Sequence, residues 1–206
     1  MDPVIDKINP LTHLKWLNLY EAVYHKGDIT GKRWFFASRK KMAYQTPEGK
    51  SKPDAVIIVP FLKNEKGEWQ VVLVEQHRIP IFSREIDFPA GLIDANETIE
   101  EAATRELKEE TGLDVKDIWK ISPIAYSSAG LTDESIVYVF VEATGTISNK
   151  NQDKDEDIEV LAVGYEDICC LIDEQSNKKI GAKTYPILFS IIYVSIMKEI
   201  NENLAP

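Results

Sequence analysis

The sequence predicts an α/β domain carrying an N-terminal β-hairpin, and three observations lead there. Two short segments rich in β-branched residues, Ala55 to Pro60 and Trp69 to Gln76, read as a strand pair. A helix pattern with start and stop signals lies between residues 98 and 112, and two more helical stretches follow near the C-terminus. Strands interleaved with helices in this way favour α/β layers with a mixed sheet. The chain has 206 residues, enough for one domain with a small appendage.

In chain order, Trp16 to Tyr24 and Lys32 to Arg39 read as two strands around a turn containing Gly27, Asp28 and Gly31. Residues 41 to 53 are polar and include Gly49 and Pro53. The boundary therefore separates a 1–50 β extension from a main domain at 51–206. Ala55 to Pro60 and Trp69 to Gln76 form the next strand pair, with Asn64 to Gly67 as the turn. Ser135 to Glu142 and Asp157 to Val163 supply further strands, and Glu166 to Glu174 and Pro186 to Ile200 the last helices. No internal repeat or low-complexity linker interrupts them.

The helix in GLIDANETIEEAATRELKEETGL, residues 91 to 113, carries the chemistry. Thr98 followed by Glu101 fits a capping box, Glu97, Glu100 and Glu101 suit the positive end of the helix dipole, and Gly112 suits a left-handed C-terminal cap. At about 100° per residue, Glu106 and Glu110 point the same way as Ile99 and Ala103, the residues expected to face the core. Glu109 lies at the edge of that stripe. Glutamates on amphipathic helices are usually solvated, and Glu100 and Glu101 fit that pattern. Glu106 and Glu110 do not, and carboxylates aimed inward cost several kcal/mol each if left unpaired. Hard divalent cations, which take oxygen ligands, remove the objection.

Gly91, five residues, Glu97, seven residues, Arg105-Glu106-Leu107, one residue, Glu109-Glu110, one residue and Gly112-Leu113 together resemble a complete Nudix box. The resemblance implies an α/β/α sandwich and metal-dependent hydrolysis of a nucleoside diphosphate linked to another group. It implies Mg²⁺ or Mn²⁺ held by Glu106 and Glu110, with Glu109 assisting and the backbone carbonyl of Ala90 as a further ligand. Arg105 and Glu97 would form a buttressing ion pair that orients those ligands.

The N-terminal extension, VVLVEQHRIPI and FPAGLID resemble the ADP-ribose and nucleoside-diphosphate-sugar pyrophosphatase branch of the family. In that branch the N-terminal strands build a homodimer, and residues from both subunits close the nucleotide pocket. SSAGLTDE, Ser127 to Glu134, resembles the branch's substrate loop and makes Gly130 and Glu134 candidate substrate contacts. DKDEDIEV, Asp153 to Val160, resembles the loop that bears a catalytic carboxylate. Glu156 is the first candidate for the general base, with Asp155, Asp157, Glu159 and Glu134 as rivals, although acidic runs are usually solvated. Arg78 resembles the arginine that grips the phosphate or terminal sugar. Trp34 and Phe35 offer aromatic faces for a base, set against the commoner role of strand aromatics in packing. His77 is better read as structural.

Two positions depart from the branch. Ala129 stands before Gly130 where a proline is usual, which leaves room for a sugar nucleotide other than ADP-ribose. Asp87 stands where glutamate is usual, three residues ahead of Ala90. By resemblance, metals would activate a water for in-line attack on the pyrophosphate, and a carboxylate would take its proton. Two alternatives remain: a house-cleaning nucleoside triphosphate pyrophosphatase on the same fold, and a nucleotide sensor that does not cleave. The long N-terminal hairpin disfavours the first, and the intact set of carboxylates disfavours the second.

Charge and composition set limits. A formal net charge of −10 argues against a nucleic-acid backbone as partner, though a small anionic ligand can still be met by local cations. MDPVIDKINP lacks the basic start and apolar core of a signal peptide. Pro186 to Met197 is too short to span a bilayer. Cys169 and Cys170 are adjacent, unsuited to an ordinary disulfide or a zinc site. These features predict a cytoplasmic protein without a membrane partner.

Overall fold

The computed structural model describes residues 1–40, 52–152 and 157–204, with side chains to Val194. The strands and helices are β1 (Val4–Pro10), β2 (Asn18–Lys26), β3 (Ile29–Ser38), β4 (Ala55–Lys63), β5 (Trp69–Arg78), β6 (Ser83–Asp87), β7 (Ala90–Leu92), α1 (Ile99–Thr111), β8 (Asp114–Ile121), β9 (Ala125–Tyr126), β10 (Ser135–Thr144), β11 (Ile158–Val163), α2 (Tyr165–Ile172) and α3 (Tyr185–Leu204). The chain divides into two compact units, Met1–Ala55 with Pro123–Val137, and Val56–Ser122 with Tyr138–Pro206.

In the first unit, β1, β2 and β3 form an antiparallel sheet in that order. The expected hairpin is present as β2 and β3, and β1 adds a third strand that the sequence did not predict. VIDKINP is mostly exposed and lacks a clear apolar alternation, so its pairing with β2 is visible only once the chain is folded. The 123–137 segment joins this unit through main-chain contacts. Ala37 N–H donates to the Leu131 carbonyl at 2.8 Å, and Asp54 N–H donates to the Ser135 carbonyl at 2.9 Å. Asp54 also accepts from the Ser135 hydroxyl at 2.7 Å and from Lys40 at 3.1 Å. Burial alone would raise its carboxyl, but these hydrogen bonds bring it below the usual value.

The large sheet runs β11-β5-β4-β10-β8, with β6 on β5, β7 on β4, and β9 on the opening residues of β10. β4 and β5 are central, which is why Val56 to Val59 and Val71 to Val74 are apolar without alternation and buried. In the second unit, α1 packs on β7, β8 and β11, and α2 packs on β11 and α3. Ala102, Ala103 and Leu107 of α1 are fully buried, and Ile86 and Phe88 also belong to the buried core. Ile99, expected on the same face, is only partly buried. β8 is a second unpredicted strand. Its DVKDIWKI is charged and largely exposed, as an edge strand can be, and its pairing with β10 is interrupted by two register shifts. Among the described residues no helix is long and apolar enough to cross a membrane.

Candidate active site

The helix α1 begins as its sequence prescribes. Thr98 Oγ1 accepts from Glu101 N–H at 3.1 Å, and Glu101 Oε2 accepts from Thr98 N–H at 2.8 Å. It ends at Gly112, whose φ of 77° lies in the left-handed region and whose N–H donates to the Lys108 carbonyl at 3.0 Å. These two ends set the length of the helix, and burial of Ala102, Ala103 and Leu107 sets which way its carboxylates point.

Arg105 is the hub of that face. Its Nε and Nη2 donate to the two oxygens of Glu97 at 2.8 and 2.9 Å. Nη1 donates to Glu106 at 2.7 Å and Glu109 at 3.0 Å, and Nη2 also reaches the Leu92 carbonyl at 3.0 Å. Glu97, followed by burial and Glu106, acts on the guanidinium, and the net effect raises its pKa and keeps it charged. Glu97 in turn accepts from Asp94 N–H at 3.1 Å, which ties the glycine loop to the helix.

Glu110 is 5% exposed, and its Oε2 accepts from Ala90 N–H at 3.2 Å. The Glu106 carboxylate lies against Gly91, occupying the place a Cβ would take there. Glycine at 91 is therefore a steric requirement of the Glu106 position, not only a feature of the turn. Glu109 is the most open of the three, with its side chain 47% exposed.

All donors on this face are oxygens, which suits a hard divalent cation. The carboxylates are nevertheless not gathered as a ligand cluster: among the described residues no three His, Cys, Asp or Glu side chains converge to hold a metal. Arg105 supplies the compensating charge to Glu106 and Glu109 instead. A cation would have to compete with Arg105 for both Glu106 and Glu109, whereas Glu110 accepts from the Ala90 amide and Glu106 also lies against Gly91.

Other candidates fall in separate places. Arg78 ends β5 in the second unit, with Nε 3.6 Å from Glu85 and Nη2 3.4 Å from Asp87. His77 is exposed on the same strand. Trp34, Gly130 and Glu134 belong to the first unit. There Trp34, Phe36, Tyr126, Ala129, Thr132 and Asp133 line an open cavity of about 230 Å³. Phe35 is outside that lining, as strand alternation between Trp34 and Phe36 requires. Gly130 is exposed beside Ala129, and Glu134 pairs with Arg39 at 3.5 Å. Sequence reasoning missed Phe36, Thr132 and Asp133 because only the pairing of Ala37 with Thr132 brings strand and loop together. Glu156 and Asp155 lie outside the described residues. Of their rivals, Asp157 is 81% exposed and paired with Arg84 at 2.7 Å, and Glu159 is exposed on β11.

Comparison with known proteins agrees with this architecture. The family described as "NUDIX domain" matches residues 51–185. The chain is 32% identical to the ADP-sugar pyrophosphatase of Mus musculus over 179 residues, which cover 83% of this chain and 79% of that protein. It is 36% identical to the ADP-ribose pyrophosphatase of Saccharomyces cerevisiae over 62% of this chain, and 38% identical to that of Bacillus subtilis over 57%. It spans only 53% and 62% of the length of those two proteins. A crystal structure of an ADP compounds hydrolase shares the fold, with a TM-score of 0.67 over 97% of this chain and 96% of the other, at 19% identity. The match to more than half the sequence, on the segment that carries Arg105 and its carboxylates, means that the chain belongs to the NUDIX family.

Proposed function

We propose that the protein hydrolyses the pyrophosphate bond of ADP-ribose or a related nucleoside diphosphate sugar, giving a nucleoside monophosphate and a sugar phosphate. The observation that carries the reading is the α1 face. Glu106 is fitted against Gly91, Glu110 is buried on the Ala90 amide, and Arg105 orients the set. The relatives named as ADP-ribose and ADP-sugar pyrophosphatases support the substrate class.

Nudix hydrolases generally depend on a divalent metal, and Mg²⁺ or Mn²⁺ is the proposed cofactor here. Glu106, Glu110 and the Ala90 carbonyl would hold it, with Glu109 turning from Arg105 to assist. Bound there, the cation supplies charge neutralisation of the pyrophosphate oxygens and a water of lowered pKa. The chain's own residues do the rest. Arg105 and Glu97 keep the ligands oriented as the charge around them changes. Arg78 binds an anionic oxygen of the substrate. Glu156 takes the proton from the attacking water. Trp34, Gly130 and Glu134 are proposed substrate contacts of the first unit.

The protein is further proposed to act in the cytoplasm as a homodimer. Val4, Ile5, Leu14, Trp16 and Leu17, all in the first unit, are 40% or more exposed, apolar groups that a second copy would cover.

Product analysis tests the reading. Purified protein with Mg²⁺ is given ADP-ribose, GDP-mannose, UDP-glucose or a nucleoside triphosphate, with Glu110→Gln as control. AMP and ribose 5-phosphate, formed fastest from ADP-ribose and lost in the control, is the expected result. Inorganic pyrophosphate from the triphosphate alone would replace it with a house-cleaning activity, and no product from any substrate would favour a sensor. Light scattering at assay concentration tests the dimer.

A further inference from the structure

The connection between α2 and α3 reaches back to β6, the strand whose carboxylates face Arg78. Arg78 lies between two carboxylates of β6, Glu85 and Asp87, and its side chain is 41% exposed. Nε and Nη2 face those carboxylates, and Nη1 meets no carboxylate among the described residues. The Nε and Nη2 atoms of the guanidinium thus face β6, with Nη2 donating to Asp87, which leaves Nη1 for a ligand.

Asp87 is itself held. Its Oδ2 faces Arg78, and its Oδ1 accepts from the Thr184 hydroxyl at 2.8 Å. Thr184 is 1% exposed. The same hydroxyl accepts from Phe88 N–H at 3.3 Å, so its single proton is committed to the carboxylate. Gly181 stands beside this pair, and a Cβ there would collide with the Asp87 carboxylate. The backbone fixes the approach: Ile86 N–H donates to the Lys179 carbonyl at 2.7 Å, Gly181 N–H to the Ile86 carbonyl at 2.9 Å, and Thr184 N–H to the Gly181 carbonyl at 2.9 Å. Aspartate is one methylene shorter than glutamate, and the close passage of Gly181 and Thr184 matches the shorter reach.

We propose that Thr184 is a positioning residue for substrate binding, fixing Asp87 so that Asp87 and Glu85 present the Arg78 guanidinium to a phosphate oxygen of the substrate. The inference rests on the role of Arg78 given under the proposed function. It places a determinant of substrate affinity in the connection between α2 and α3, outside the box helix. The Phe88 contact extends the same hold toward Ala90, two residues further along the chain.

The test uses the whole protein with Thr184→Val, Thr184→Ser, Arg78→Lys and the Thr184→Val/Arg78→Lys pair. ADP-ribose affinity is measured by calorimetry in EDTA, and KM and kcat with Mg²⁺. Loss of one hydrogen bond to an ionised group predicts about a tenfold rise in KM and Kd for Thr184→Val. Its kcat should stay within about twofold, because the bond acts on ground-state binding. Thr184→Ser should restore wild-type affinity. In the pair, Thr184→Val should add almost nothing to Arg78→Lys, since the two act through one contact. Additive losses, or unchanged affinity in Thr184→Val while Arg78→Lys is impaired, would overturn the inference and leave the proposed function standing. Wild-type protein that neither binds nor cleaves ADP-ribose would instead defeat the underlying reading. Should Thr184→Val fail to fold, Thr184→Ala carries the same comparison.

Discussion

Arg105→Ala removes the charge around which the α1 face is built. The guanidinium is 31% exposed, and its partners Glu97 and Glu106 are 13% and 14% exposed. Breaking a fully buried pair by removing one partner costs about 3–5 kcal/mol, whereas an exposed pair is worth about 0–1 kcal/mol. Glu109, at 47% exposure, belongs with the second kind, while Glu97 and Glu106 lie nearer the first. The cost should therefore be about 2–3 kcal/mol. For a chain of this size each kcal/mol shifts Tm by about 2–4 °C, so the expected fall is about 4–12 °C. The assay is thermal unfolding in EDTA at low salt, repeated with saturating Mg²⁺. Added cation should narrow the gap, because it returns positive charge to the stranded carboxylates. A double-mutant cycle with Glu97→Gln should show coupling of about 1 kcal/mol or more. A fall of less than about 2 °C in EDTA, or independent effects in the cycle, would refute the account of Arg105 as the hub.

Two further substitutions probe neighbouring features. Burial, with Asp87 beside it, raises the Glu85 carboxyl above its ordinary 4.5 against the pull of Arg78 and Lys183. Its stabilising contribution is full below that value and is lost as pH rises through the folded value. Glu85→Gln should therefore gain stability relative to wild type at neutral pH and lose that advantage in acid; unfolding curves with the opposite trend would contradict the assigned cause. Gly91→Ala places a methyl group in the space of the Glu106 carboxylate. A displacement of about 1 Å can cost about a hundredfold in rate, so turnover should fall on that scale with far less effect on Tm. Wild-type turnover would mean that the observed Glu106 position is not the working one.

The central strands and the bounds and facing of α1 could be read from the sequence because both are written in local patterns. The central strands β4 and β5 announce themselves by the apolar stretches Val56 to Val59 and Val71 to Val74, which are buried without alternation. The capping box of Thr98 and Glu101 joins residues three apart, and the inward direction of Glu106 and Glu110 follows from helical period. The motif also implied the Glu97–Arg105 pair, which forms with both carboxylate oxygens.

Tertiary structure alone decided the rest. Arg105 also takes Glu106, Glu109 and the Leu92 carbonyl, a sharing that depends on how the glycine loop folds over the helix. The strands β1 and β8 carry charged, exposed sequence, and their pairing with β2 and β10 gives them a strand structure that their own periodicity does not. Thr184 meets Asp87 across 97 positions of chain, and Trp34 and Phe36 come to line one open cavity with Tyr126 and Ala129 only in the folded first unit. A sequence records which side chains repeat along one face of a helix or strand. It carries no local mark of hydrogen bonds whose partners are brought together by packing, which is why the direction of Glu106 and Glu110 could be anticipated and the Thr184–Asp87–Arg78 contacts could not.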